Sequence, residues 1–242
     1  KLPVLHGVPC TIKEWFALEG MPQSSGLMAR KNVVAKEDAP TVFLLRHAGL
    51  IPLGVTNLSE LCMWMESNNK VYGRTNNPYD LSRTCGGSSG GEGAIVGRGA
   101  SPVGLGSDIG GSIRMPAFFN GVFGHKPSPG LVSNVGQYPI AENEALNYLS
   151  TGPICRRAED LPLLCTILAG RKAGRISTED VDFSALKVLH IADDGRIPVS
   201  EELRAVQLQV VEYLASLGAE VEELKIAGLR RSVEVWSAML EA

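Results

Sequence analysis

Three short stretches of the 242-residue chain carry residues that could do chemistry together. They are Lys13 in GVPCTIKE (7–14), Ser88 in CGGSSGGEG (85–93) and Ser112 in GSDIGGSIRMP (106–116). In the third, two glycines stand directly before a serine at a turn into a helix, which permits unusual backbone angles and close approach of a ligand. The backbone N–H groups of Ile109, Gly110, Gly111 and Ser112 can then converge on one point, as an anion-binding nest does. Such a nest beside a hydroxyl is the geometry that stabilises the oxyanion of acyl transfer, at about 3–4 kcal/mol per donor. Taken alone, the stretch reads equally well as a Gly-rich turn with Ser112 as a helix cap.

A serine hydroxyl is a weak nucleophile and needs a base. His6, His47, His125 and His190 stand in no triad context. Lys13 is the other option, because a lysine desolvated in a core has its pKa lowered and can be neutral near pH 7. Alone, Lys13 reads as a strand-end lysine reaching back to solvent, and GGSSGG as a flexible loop. Joined to Ser112, Ser88 or Ser89 could relay a proton between lysine and serine. Two other patterns fail on context. Residues 86–90 satisfy G-x-S-x-G, but the polar stretch 76–83 precedes them where a nucleophile elbow needs a strand. Gly91, Gly93 and Gly97 have the wrong spacing for a dinucleotide loop and follow no strand.

The elements that must position these residues alternate between strand and helix. Pro40 suits a first helical position, followed by Val42, Leu44, Leu45 and Leu50 on one face. A short buried strand is expected over 51–55 and a helix over 58–65, capped by Thr56 or Asn57. Residues 66–83 read as a polar surface loop. The Gly-rich run 86–111 encloses two apolar pieces, 94–96 and 103–105. A helix start near Ser112, a strand near 122–125, a long loop over 127–152 and a helix over 158–169 follow. The tail reads as a strand (186–192), an amphipathic helix (200–217) ending at Gly218, a strand (220–226) and a helix (231–242). This alternation predicts an α/β layered fold with a substantially parallel sheet. The most polar segment, 171–182, is expected as a surface excursion between two halves.

Composition narrows the function classes. The net charge is −3, with 44% hydrophobic and 20% charged residues, which gives a real core and no electrostatic reason for nucleic acid or an anionic membrane as partner. Basic residues are scattered, with no aromatic residues interleaved for base stacking. The five cysteines are odd in number and have no metal-ligand spacing, so they read as buried free thiols in a reducing compartment. Cys85 has no histidine in view to activate it. The longest apolar run, 41–54, contains Arg46, His47 and Pro52 and is too short to span a bilayer. Lys1 opens inside a motif and the final helical pattern lacks a stop signal, so the chain is expected to be a fragment.

Taken together, the three stretches resemble the amidase signature family. GVPCTIKE resembles its lysine motif, which implies a base at Lys13. GGSSGG resembles the motif of its bridging cis-serine, at Ser88. SDIGGSIRMPA resembles its nucleophile motif, which implies a nucleophile at Ser112 and oxyanion donors at Ile109, Gly110, Gly111 and Ser112. Ser88 follows Lys13 by 75 residues and Ser112 follows Ser88 by 24, in keeping with the family. SELCMW (59–64), NNPYDL (76–81), MPAFFNGVFGHKPSPG (115–130) and Ile109 resemble the branch that hydrolyses fatty-acid amides. Asp108 and Arg114, flanking the nucleophile, are expected to hold the turn by pairing, with solvated surface charges as the alternative. Ser89 is expected to hydrogen-bond around the site.

The resemblance implies an amidase signature α/β fold, a mixed, largely parallel sheet covered by helices and here incomplete. Residues 1–242 would form part of one domain, with a catalytic core over 1–170 and the start of its second half over 171–242. It implies hydrolysis of fatty-acid primary amides and N-acylethanolamines through an acyl-enzyme, with no cofactor and no metal. The implied partner is a small fatty amide rather than nucleic acid. A homodimer and an intracellular, membrane-associated location are compatible with it, the membrane contact lying in regions outside this chain. Two rivals are a glutamine-type amidase, such as the amidotransferase component that amidates charged tRNA, and a truncated chain without catalytic power.

Overall fold

The structure, a computed structural model, describes residues 2–172 and 181–241. Most of the polar segment 171–182 therefore lies outside the described residues. The chain divides into two compact units, Lys1–Ile176 and Ser177–Ala242.

The first unit holds β1 (Pro9–Lys13), α1 (Pro40–His47), β2 (Ile51–Thr56), β3 (Asn68–Asn69), β4 (Gly73–Arg74), α2 (Gly90–Gly97), β5 (Val103–Asp108), α3 (Arg114–Phe119), β6 (Phe123–Gly124), β7 (Ser150–Cys155) and α4 (Leu161–Ala169). Five strands form one sheet in the order β2-β1-β5-β7-β6. The β1–β2 and β1–β5 pairs are parallel, while β7 runs antiparallel to both β5 and β6. Four strands thus share one direction and β7 alone is reversed, so the sheet is mixed and largely parallel.

Alternation along the strands assigns each face its work. Cys10 and Ile12 of β1 join Val103 and Leu105 of β5 in a core closed by Val42 and Leu45 of α1 and Leu164 and Leu168 of α4. The opposite face meets α2 and α3, where Val96, Ile113 and Ile154 pack together. Pro40 does stand at the first position of α1, with Val42, Leu45 and Leu50 buried.

Several expected elements take another form. The strand at 51–55 exists but is not buried, because β2 is the edge of the sheet in this chain, with Ile51 and Leu53 more than half exposed. The helix expected over 58–65 is only a turn at Glu60–Cys62, because Leu61 and Cys62 adopt φ of 51° and 61° and reverse the chain. Residues 66–83 are not simply a surface loop. They contain the β3–β4 hairpin and the buried side chains of Ser67, Asn69 and Asn77. The long loop over 127–152 gives way at Ser150 to β7, a fully buried strand that its Gly and Pro conceal from pattern reading. Four of the thiols are buried, but Cys62 is only half-buried.

The second unit contains β8 (Lys187–His190), α5 (Glu201–Ser216), β9 (Glu220–Glu223) and α6 (Ser232–Glu241). β8 and β9 pair in parallel, and the Ser200 hydroxyl accepts the Leu203 N–H to cap α5. Among the described residues no helix is long and apolar enough to cross a membrane.

Candidate active site

β1 ends on Lys13, which is 0% exposed. Its Nζ donates to Ser88 Oγ at 2.7 Å and to Ser107 Oγ at 2.9 Å, and sits 4.9 Å from the centre of the Trp15 ring. Burial pushes the amine below its ordinary proton affinity, while the adjoining Cys62 side chain and the charges of Asp108 and Glu92 act the other way. Burial likewise raises the Cys62 thiol, and it pushes Cys85, which donates to Thr75 O at 3.1 Å, up to about 12. Cys85 is thus an inert buried thiol.

The turn entering α2 supplies the serines. The Gly87–Ser88 peptide is cis. Ser67, at the base of the β3–β4 hairpin, donates to Ser88 O at 3.2 Å and accepts the Gly90 N–H at 2.8 Å, locking the turn from one side. From the other side, the Ser89 N–H donates to Ser112 O at 3.1 Å and the Ser89 hydroxyl donates to Ser107 O at 3.3 Å. Ser88 and Ser89 are both fully buried, whereas Ser112 is half-buried.

The Ser112 loop is organised by one carboxylate. Asp108, fully buried, accepts the Gly111 N–H at 2.8 Å and the Ile113 N–H at 3.0 Å, and pairs in two-pronged fashion with Arg114 Nε at 3.0 Å and Nη2 at 2.9 Å. Burial alone would raise its pKa, but Arg114 and these two amides outweigh it and hold the carboxyl at about 2. Asp108 and Arg114 therefore pair across the turn. Lys126 grips the same loop from behind, donating to Asp108 O at 2.7 Å and to Tyr148 O. Gly111 has φ of 120°, and a Cβ there would press on Met115 at 3.1 Å, so the turn requires glycine.

The structure brings Lys13, Ser88, Ser89, Asp108 and Arg114 together as a connected set, and Ser112 joins it through its carbonyl. Of the four amides expected to face a substrate oxygen, that of Gly111 is already donated to Asp108. Sequence reasoning missed Ser107, Lys126, Trp15, Cys62 and Glu92. The signals were faint: a hydroxyl one residue before Asp108, a lysine after GH, and a carboxylate in the otherwise uncharged helix GGEGAIVG.

The amidase family profile matches residues 1–242. The chain is 53% identical to fatty-acid amide hydrolase 2-A of Danio rerio over 99% of its own length and 46% of that protein. It is 52% identical to fatty-acid amide hydrolase 2 of Homo sapiens over 100% of its length and 46% of the relative. The chain thus spans less than half the length of these curated relatives. Among solved structures, it is similar to a glutamyl-tRNA(Gln) amidotransferase component from Thermotoga maritima, with a TM-score of 0.86, 29% identity, and coverage of 99% of this chain and 54% of that one. By its sequence over all 242 residues and by its fold, the chain belongs to the amidase family.

Proposed function

We propose that the whole protein is an amide hydrolase acting on fatty-acid amides, primary amides and N-acylethanolamines among them, with Ser112 as nucleophile, Ser88 as bridge and Lys13 as base. One observation carries this reading: a fully buried lysine whose amine meets the hydroxyl of Ser88, on the turn that is bonded to the Ser112 backbone. Neutral Lys13 takes a proton from Ser88 as Ser88 takes one from Ser112, and the Ser112 oxygen attacks the amide carbonyl. The negative charge forming on the carbonyl oxygen is met by the amides of Ile109, Gly110 and Ser112, because Asp108 already engages that of Gly111. The proton returns through Ser88 to the leaving amine, and water then hydrolyses the acyl-enzyme. The fatty-acid preference rests on the names of the 52–53% identical relatives. On this reading residues 1–242 are part of a single amidase domain, and membrane contact belongs to segments outside them.

The test compares ammonia release from oleamide and from glutamine by the whole protein. Oleamide hydrolysis that disappears in Ser112→Ala supports the reading. Glutamine hydrolysis without oleamide hydrolysis moves the protein to the amidotransferase branch, and near-normal oleamide turnover by Ser112→Ala overturns the assignment of the nucleophile.

A further inference from the structure

Glu92 is a fully buried carboxyl that the proposed reaction does not use. It sits in the first turn of α2, four residues after Ser88. Its Oε2 accepts from Thr11 Oγ1 and its Oε1 from Thr56 Oγ1, both at 2.6 Å, so it rests across β1 and β2. Gly104 of β5, the register partner of Thr11, makes the room, since a Cβ there would collide with the Glu92 carboxylate. Three neighbouring strands thus form a cradle for one carboxyl.

The cradle lies beside Lys13. Thr11 and Lys13 are two apart on β1 and so share a face, about 7 Å apart along the strand. Both reach the α2 side, Thr11 to Glu92 and Lys13 to Ser88. The two hydroxyl bonds by themselves do not need a carboxylate, because a glutamine side chain could accept from one threonine and donate to the other. What the carboxyl adds is charge near the base: burial raises its pKa to about 7 against the pull of the two threonine bonds and Lys13, so the charge is present above about neutral pH.

We propose that Glu92 is a positioning residue for the acid–base chemistry, its buried negative charge holding up the proton affinity of Lys13 so that the amine can both take and return the proton. This rests on the reading of Lys13 as base. The other titratable groups on elements packed against α2 are few. β1 offers Cys10 on its opposite face, β2 has none, β7 carries Cys155, and Asp108 of β5 is paired with Arg114 of α3. Near the amine itself stand Cys62, Asp108 and Glu92. Asp108 is neutralised by Arg114 and Lys126, and Glu14, also buried, is taken up by the Ser24 and Ser25 amides and the Ser24 and Tyr72 hydroxyls, which leaves Glu92 as the buried carboxyl held by two threonine hydroxyls alone.

The test is the pH dependence of Ser112 labelling by a fluorophosphonate probe in the whole protein. Removing the charge lowers the lysine's proton affinity, so the base stays neutral to lower pH. In Glu92→Gln the acid limb should move down by about one pH unit, the order expected for removing one nearby buried charge. The plateau rate should fall severalfold as the base weakens. Thr56→Val strips one donor from the carboxylate, leaves it more often protonated, and should move the limb the same way by less. A folded Glu92→Gln with an unmoved limb overturns the proposal, whatever its rate or melting temperature. If that variant does not fold, an unmoved limb in Thr56→Val does the same. Wild-type protein left unlabelled at Ser112 sinks the underlying reading together with this inference, whereas labelled wild type with unmoved limbs sinks this inference alone.

Discussion

Lys13 Nζ lies 2.7 Å from Ser88 Oγ, although the two residues are 75 positions apart and both are fully buried. Hydroxyls and an aromatic ring, rather than a carboxylate, receive this amine, as the contacts to Ser88, Ser107 and Trp15 show. A buried ammonium without a bonded counter-ion is costly, so the environment favours the neutral amine. If the two residues act as one relay, Lys13→Met and Ser88→Ala each lower kcat by about 10²–10⁴-fold. The double variant should then be little worse than Lys13→Met alone. Fully multiplicative losses, read from steady-state kinetics on a fatty amide, would contradict a shared relay.

The lowered proton affinity of Lys13 also enters stability. The unfolded lysine keeps its proton up to about pH 10.4, while the folded site releases it at lower pH. Between those two values the unfolded state binds more protons, so stability falls as pH is lowered through that window. Lys13→Met removes this penalty. Thermal melts should show the variant gaining on wild type as pH drops from about 10 toward neutral, and a difference constant with pH would contradict the buried neutral amine.

Asp108 works in the opposite sense. Its folded pKa of about 2, against 3.8 ordinarily, corresponds to about 2.5 kcal/mol of stability. That contribution is present above the ordinary carboxylate range and is lost as pH falls from about 4 through about 2. Asp108→Asn, which leaves Arg114 and two loop amides with one acceptor fewer, should lose about 2–3 kcal/mol at pH 7 in urea unfolding. A loss below about 0.5 kcal/mol would show that the carboxylate does not organise the loop.

The close approach of Gly104 to Glu92 gives a packing prediction. Gly104→Ala pushes a methyl into a fully buried carboxylate and should cost about 1–3 kcal/mol. In a Glu92→Ala background the methyl gains space and most of that cost should vanish, because contacting sites couple. Equal costs in both backgrounds, measured by denaturant melts, would place the strain elsewhere.

Much of this was legible in the sequence because its signals are local. Pro40 at a helix start, the amphipathic helix over 200–217 ending at Gly218 and the three ordered motifs depend on neighbouring residues alone. The failures have tertiary causes. Leu61 and Cys62 turn back in left-handed geometry that an apolar helical pattern does not announce. β7 hides because Gly152 and Pro153 mark it as a loop, yet its neighbours β5 and β6 pair with it on both sides. Ser107 and Glu92 reach the site through partners distant in sequence, Lys13 at 94 positions for Ser107, and Thr11 and Thr56 at 81 and 36 for Glu92.

The central claim is that the three motifs converge on Ser112 as the nucleophile. A fluorophosphonate probe, mapped by peptide mass spectrometry in the whole protein, tests it most directly. The predicted result is one modified residue, Ser112, with labelling slowed at least about 10²-fold in Lys13→Met. Modification of Ser88 or Cys62 in its place, or undiminished labelling of Ser112 without Lys13, would contradict the account.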